Sequence, residues 1–178
     1  MITAEQIIKK LDLRPLPEEG GYFRETYKDE VSVPAKQVEI ESTSARHLST
    51  AIYYLVTPDS FSALHRVKSD EIFHFYAGDS VEMIQIDEAG RLSQFSIGAD
   101  FMNAEQPQVV VQKNHWQGMK LKEGGRWALM GTTVAPGFEY EDFEIGERAQ
   151  LIEQFSHLKE QITNYTRLAS VTPRLGLE

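Results

Sequence analysis

The stretch Phe61–Asp79, "FSALHRVKSDEIFHFYAGD", places His65, Glu71 and His74 within ten residues of one another. Two imidazoles and a carboxylate are donors that a first-row transition metal accepts. The same groups move protons on and off carbon. Side chains alternate across a strand, so Glu71 shares a face with Phe73 and Phe75, while His74 goes with Ile72 and Tyr76. His74 joins Glu71 only where a bulge or bend intervenes. If Glu71 points inward, its charge needs a partner, and His65 and Arg24 are the candidates.

Other residues are graded by the same parity. His115 and Trp116 are adjacent and face opposite ways, with Trp116 suited to core and Gln117 sharing the face of His115. Gln117 is a candidate for bonding a ligand hydroxyl. Tyr22, Arg24 and Glu25 follow the flexible pair Gly20-Gly21 and are further ligand-binding candidates, together with His74. For His65 two readings stay open: a pocket group, or a half-buried histidine bonded to a backbone carbonyl. His157 is expected at the surface of a helix, and His47 in a loop.

The elements that must hold these residues are mostly strands. "TAEQIIKKLDL" opens with Thr3 and, three residues on, Gln6, the pattern of a capped amphipathic helix, which "RPLPEEGG" then stops. From about residue 22 to 142, nine β-rich runs follow, among them "LSTAIYYLV", "EIFHFYAG" and "RWALMGTTV". Breaks such as "KSD", "AGD" and "EGG" separate them, and this spacing indicates an antiparallel sandwich or barrel. In "ERAQLIEQFSHLKEQI", Leu151, Phe155, Leu158 and Ile162 form one stripe, predicting a single helix laid over a sheet.

At 178 residues the chain fits one domain, with 1–20 as helix and loop, 21–142 as the β unit and 143–178 as helix and tail. It has no cysteine, so disulfides, thiolate zinc sites and cysteine nucleophiles are excluded. Net charge is −9 and Lys/Arg are nowhere clustered, which argues against nucleic-acid binding while leaving room for an anion held by one or two arginines. Apolar runs are too short to span a bilayer, and "MITAEQIIKK" does not read as an export signal. A cytoplasmic location without membrane contact is the expectation.

His65, Glu71 and Gly78 have the H-x5-E-x6-G spacing, which resembles the first motif of the cupins, a jelly-roll family. The second histidine of that motif corresponds to Val67. In "VVVQKNHWQG", which resembles the second motif, Gln117 stands where the last histidine would be. Metal-binding cupins use those histidines with the glutamate, and His plus Glu alone is a poor cage. No metal or other cofactor is therefore expected. "PEEGGYFRETY", "FSALHRVKSDEIFHFYAGD" and "VAPGFEYEDFEIG" together resemble a cupin subfamily described as predicted sugar epimerases.

That resemblance implies an all-β dominated fold, a double-stranded β-helix (cupin jelly roll) with a short N-terminal helix and a C-terminal helix. It also implies a homodimer and an open pocket for a small molecule. The related dTDP-sugar 3,5-epimerases have a pattern resembling Glu18, Gly21, Phe23 and Glu25, with Gly20 at their arginine and Arg24 nearby. Their base histidine corresponds to His65 in "ALHRV", and their essential tyrosine corresponds to Val134. Epimerisation beside a carbonyl needs a base and an acid. His65 is the candidate base, Glu71 its orienting carboxylate, and no acid is assigned. Three functions remain open: a metal-independent epimerase or isomerase acting on a sugar or nucleotide-sugar, a non-catalytic binding protein, and a metal-dependent cupin enzyme.

Overall fold

The computed structural model describes residues 2–167. Thr3 caps helix α1 (Ala4–Leu11) reciprocally: its hydroxyl accepts from the Gln6 amide at 3.3 Å, and the Gln6 side chain accepts from the Thr3 amide at 3.0 Å. Asp12 then turns left-handed and ends the helix. The buried face of α1, led by Ile7, packs on Leu55, Tyr22 and Trp127.

All nine expected strands are present. They are β2 (Tyr22–Lys28), β5 (Thr50–Val56), β6 (Ser62–Arg66), β7 (Asp70–Gly78), β8 (Val81–Ile86), β9 (Leu92–Ile97), β10 (Gln108–Val111), β11 (Trp116–Leu121) and β12 (Ala128–Ala135). Short pieces complete the set: β1 (Arg14–Pro15), β3 (Ser32–Pro34), β4 (Ala45–His47) and β13 (Glu144–Ile145). Two antiparallel sheets face each other, ordered β1-β2-β5-β12-β7-β10 and β13-β6-β11-β8-β9. This is the double-stranded β-helix of a jelly roll. Alternation sends Phe73, Val109, Met83, Met119 and Met130 into the dry space between the sheets.

The outer face of the five-stranded sheet is covered by the C-terminal segment. Leu151, Phe155, Leu158 and Ile162 form the expected stripe and bury against Leu64, Ile84, Ile86 and Trp116. The single helix does not form. It breaks at Phe155 into α2 (Arg148–Gln154), a 3₁₀ turn at Ser156–Leu158 and α3 (Lys159–Asn164). The break follows the turn between β8 and β9. There the Phe155 ring lies against Gly90, where a Cβ would sit 2.8 Å from it, and His157 Nε2 bonds the Gly90 carbonyl at 3.0 Å. His47, expected in a loop, instead ends β4. The tail residues 168–178 lie outside the described residues. Among the described residues no helix is long and apolar enough to cross a membrane.

Candidate functional site

A cavity of about 470 Å³ opens between the sheets beside the core, which shares Tyr54 and Phe73 with it, and His65, Glu71 and Thr132 also line it. Pairing explains how β6 serves it. Gln117 sits opposite His65, but Met119 sits opposite Ser62, so β6 carries one extra residue between the two pairs. The resulting bulge lets Ser62 and His65, three residues apart, both face inward while Leu64 packs outward against the C-terminal helices.

His65 is 3% exposed. Its Nδ1 lies 2.8 Å from the Ala63 carbonyl oxygen. A carbonyl only accepts, so Nδ1 carries the proton and Nε2 keeps the lone pair. Phe143 stacks on the ring with centroids 5.4 Å apart and planes at 28°. Glu19 Oε2 stands 3.7 Å from Nε2, within ion-pair reach of a protonated ring, while its Oε1 accepts from the Ser62 hydroxyl at 3.0 Å. Glu71 comes from the opposite sheet and accepts from Gln117 Nε2 at 2.6 Å. Burial holds the Glu71 carboxyl above the ordinary carboxylate range, and the neighbouring His65 opposes that rise.

Glu19 reaches His65 because the "PEEGG" loop is built to carry it. Glu18, Gly20 and Gly21 all have positive φ. A Cβ on Gly20 would overlap the Phe61 carbonyl and the Arg167 guanidinium, so this position accommodates only glycine. The Ala63 amide donates to the Glu19 carbonyl at 2.8 Å and the Tyr54 hydroxyl to the Gly20 carbonyl at 2.9 Å. Arg167 donates to the carbonyls of Glu18, Glu19 and Phe61 from the outside. Burial, reinforced by the Glu19 charge, raises the Tyr54 phenol well above its usual value, so it stays a neutral donor.

A third wall comes from the segment after β12, which supplies Phe138, Tyr140 and Phe143. It is latched by Arg46, which is fully enclosed. Its Nε and Nη2 bond both oxygens of Asp142 at 2.7 and 2.8 Å, and Nη2 also reaches Glu141 at 2.6 Å. Remaining guanidinium hydrogens go to the Ser44 and Ala45 carbonyls at 3.1 Å each.

The residues expected at the site separate by face. His65, Glu71 and Glu25 line the cavity, and Gln117 joins through Glu71. Glu25 lines the cavity of its own chain. Tyr22, Arg24 and His74 point the other way. Tyr22 packs under α1, Arg24 lies over the Tyr53 ring at 5.4 Å, and His74 meets Gln108 at 3.2 Å and Thr133 at 3.3 Å. Strand β7 pairs regularly from Glu71 to Phe75 and slips only at Tyr76, beyond His74, so no bulge turns His74 inward. Glu19, Ser62 and the Phe138–Phe143 wall stand at or beside the cavity and are missed by parity alone. The only signal for Glu19 was the doubled glycine after it.

The donor set does not suit a metal. Among the described residues no three His, Asp or Glu side chains gather to hold an ion. Val67 lines the cavity where the motif has one histidine, and Gln117 stands where it has the other, so imidazole donors are lacking at both places.

Similarity to known proteins follows the same outline. A hypothetical protein from Leishmania major is 34% identical, with a TM-score of 0.83 over 93% of this chain and 99% of that one. Protein SO0799 from Shewanella oneidensis is 30% identical, with a TM-score of 0.83 over 94% and 99%. The uncharacterised yeast protein YML079W is 32% identical over 132 residues, which are 70% of this chain and 66% of the yeast protein, so the match spans slightly less than two thirds of that relative. The family pattern described as "Cupin superfamily (DUF985)" matches residues 5–146, and with the jelly roll and its His65–Glu71 cavity in view, the chain belongs to that branch of the cupins.

Proposed function

We propose that the cavity is a small-molecule site in which His65 takes and returns a proton, the chemistry of an isomerase or epimerase acting beside a carbonyl. One observation carries this reading: the Nδ1–H of His65 is committed to the Ala63 carbonyl, which leaves Nε2 as the ring's proton acceptor inside an enclosed, aromatic-walled space. Nε2 removes the proton from carbon, and the C–H electrons move onto the adjacent carbonyl, whose oxygen takes a proton from an acid. Glu71, held protonated to higher pH by burial, is the group suited to give that proton. Return of a proton to carbon completes the isomerisation. Glu19 stabilises the imidazolium that forms in between. A sugar derivative fits the combination of carboxylates for hydroxyls and aromatic faces for the ring.

Solvent-deuterium incorporation into a panel of keto and aldo sugars tests the reading. Exchange should appear for at least one sugar and fall about 10²- to 10⁴-fold in His65→Gln. Exchange that survives the substitution removes His65 as base. Ligands that bind without any exchange make the cavity a binding site without chemistry.

A further inference from the structure

The cavity is charged in one direction only. Glu18, Glu19 and Glu25 line it beside the protonated Glu71, and no lysine or arginine is among its described lining residues. The nearby cations are committed elsewhere. Lys28 pairs with Glu139 at 2.8 Å, Arg66 with Glu144 at 2.7 Å, and Arg46 with Asp142 at 2.7 Å. Arg24 lies over Tyr53 on the other face of its sheet, and Arg167 is occupied by backbone carbonyls. A ligand bearing phosphate would therefore enter a field that repels it with no donor cation to receive it.

The remaining lining is aromatic. Phe23 and Phe73 come from the six-stranded sheet, and Phe138, Tyr140 and Phe143 come from the latched wall. Ring faces carry partial negative charge and attract ammonium groups. The Glu25 side chain, beside Phe23 on the inward face of β2, makes no hydrogen bond or ion pair with any described residue, so its carboxylate is open to a ligand. Aromatic faces and uncompensated carboxylates around one enclosed volume form a receptor for a small organic cation.

We infer that the cavity selects a compact ligand carrying a protonated amine and rejects phosphate esters, nucleotide-sugars included. This rests on the proposed small-molecule site and narrows its substrate to an amino-substituted molecule, the amine held between Glu25, Glu19 and the aromatic wall.

Matched probes test it: glucosamine, glucose and glucose 6-phosphate, with tetramethylammonium as a cation lacking hydroxyls. Affinities are read by calorimetry and ligand-observed NMR at low ionic strength on the full chain. Glucosamine should bind at least about tenfold more tightly than glucose 6-phosphate, with glucose between them. Tetramethylammonium should compete with glucosamine, and added salt should narrow the amine's advantage. Glu25→Gln and Glu19→Gln should each reduce that advantage; Glu25 is exposed, so its variant keeps the test valid if Glu19→Gln fails to fold. A phosphate ester that binds as tightly as the amine overturns the inference. So does an amine advantage untouched by Glu25→Gln, or no amine binding at millimolar concentration. Deuterium exchange is scored separately. An amine preference without exchange leaves the selectivity and removes the base role, whereas exchange in neutral keto sugars without an amine preference does the reverse.

Discussion

Gln117 and Glu71 join the two sheets, side chain to side chain, with the amide Nε2 of one 2.6 Å from the carboxyl Oε2 of the other. Gln117 stands on β11 in the five-stranded sheet, Glu71 on β7 in the six-stranded one. They are 1% and 7% exposed, so the contact is shielded from water.

Burial of Glu71 sets a pH dependence that the Gln117 bond partly offsets. Glu71 has its folded-state value raised by burial, so between its unfolded and folded values the native state holds more protons than the unfolded one. Stability therefore falls as pH rises through that window, and the full cost is present above it. Glu71→Gln keeps an acceptor for Gln117 and removes the ionisable group. Its Tm should exceed wild type at pH 8, by about 2–4 °C for each kcal/mol relieved. The difference should vanish below the ordinary carboxylate range, near pH 3–4. A Tm gap that is constant with pH would show that ionisation plays no part.

The two histidines of the opening stretch should behave differently. His65→Ala removes the group whose Nε2 faces Glu19 and should abolish ligand-dependent stabilisation or exchange. His74→Ala loses two outer-face contacts, to Gln108 and Thr133, and should leave ligand affinity within about twofold. Calorimetry with any ligand found for the cavity decides it, and equal losses in both variants would contradict the face assignment.

Arg46 should dominate the stability of the cavity wall. Removing one partner of an enclosed ion pair strands the other, so Arg46→Ala should lower unfolding free energy by about 3–5 kcal/mol. Lys28→Ala, which breaks a pair whose side chains are 35% and 32% exposed, should cost under about 1 kcal/mol. Urea titrations of the two variants test the contrast, and comparable midpoints would refute it.

Gly20→Ala should disturb the site as well as the fold. Its φ of 96° and the blocked space beside Phe61 together should cost on the order of 1–3 kcal/mol. The Glu19 carboxylate moves with its loop, so ligand binding should weaken even at temperatures where the variant is fully folded. A destabilised variant with unchanged affinity would mean that Glu19 does not contribute to binding.

The legible part of the molecule was what period and punctuation encode. All nine runs became strands because alternation and turn residues are local signals, and the Leu151–Ile162 stripe buried as its spacing required. Strand parity also separated Glu71 from His74, but that no bulge turns His74 back to the cavity, as a ligand-binding role required, shows only in the pairing of β7 with β12. What stayed hidden depends on pairing between distant segments. The extra residue in β6 shows only against Met119 and Gln117. Glu19 approaches His65 only through a loop whose left-handed turns are closed by Ser60, Tyr54 and Arg167. The C-terminal helix kept its apolar period but broke where Gly90 gave Phe155 somewhere better to pack.

Arg167 gives this arrangement an order in time. Its guanidinium bonds the Glu18 carbonyl across 149 positions of sequence. A chain synthesised from its N-terminus therefore carries the Glu19 loop for nearly its whole length before the clamp for that loop exists. Both sheets can pair while the clamp is still untranslated. Until then the loop is held by its bonds to Ser60, Ser62, Ala63 and Tyr54, all of which lie earlier in the chain than the clamp.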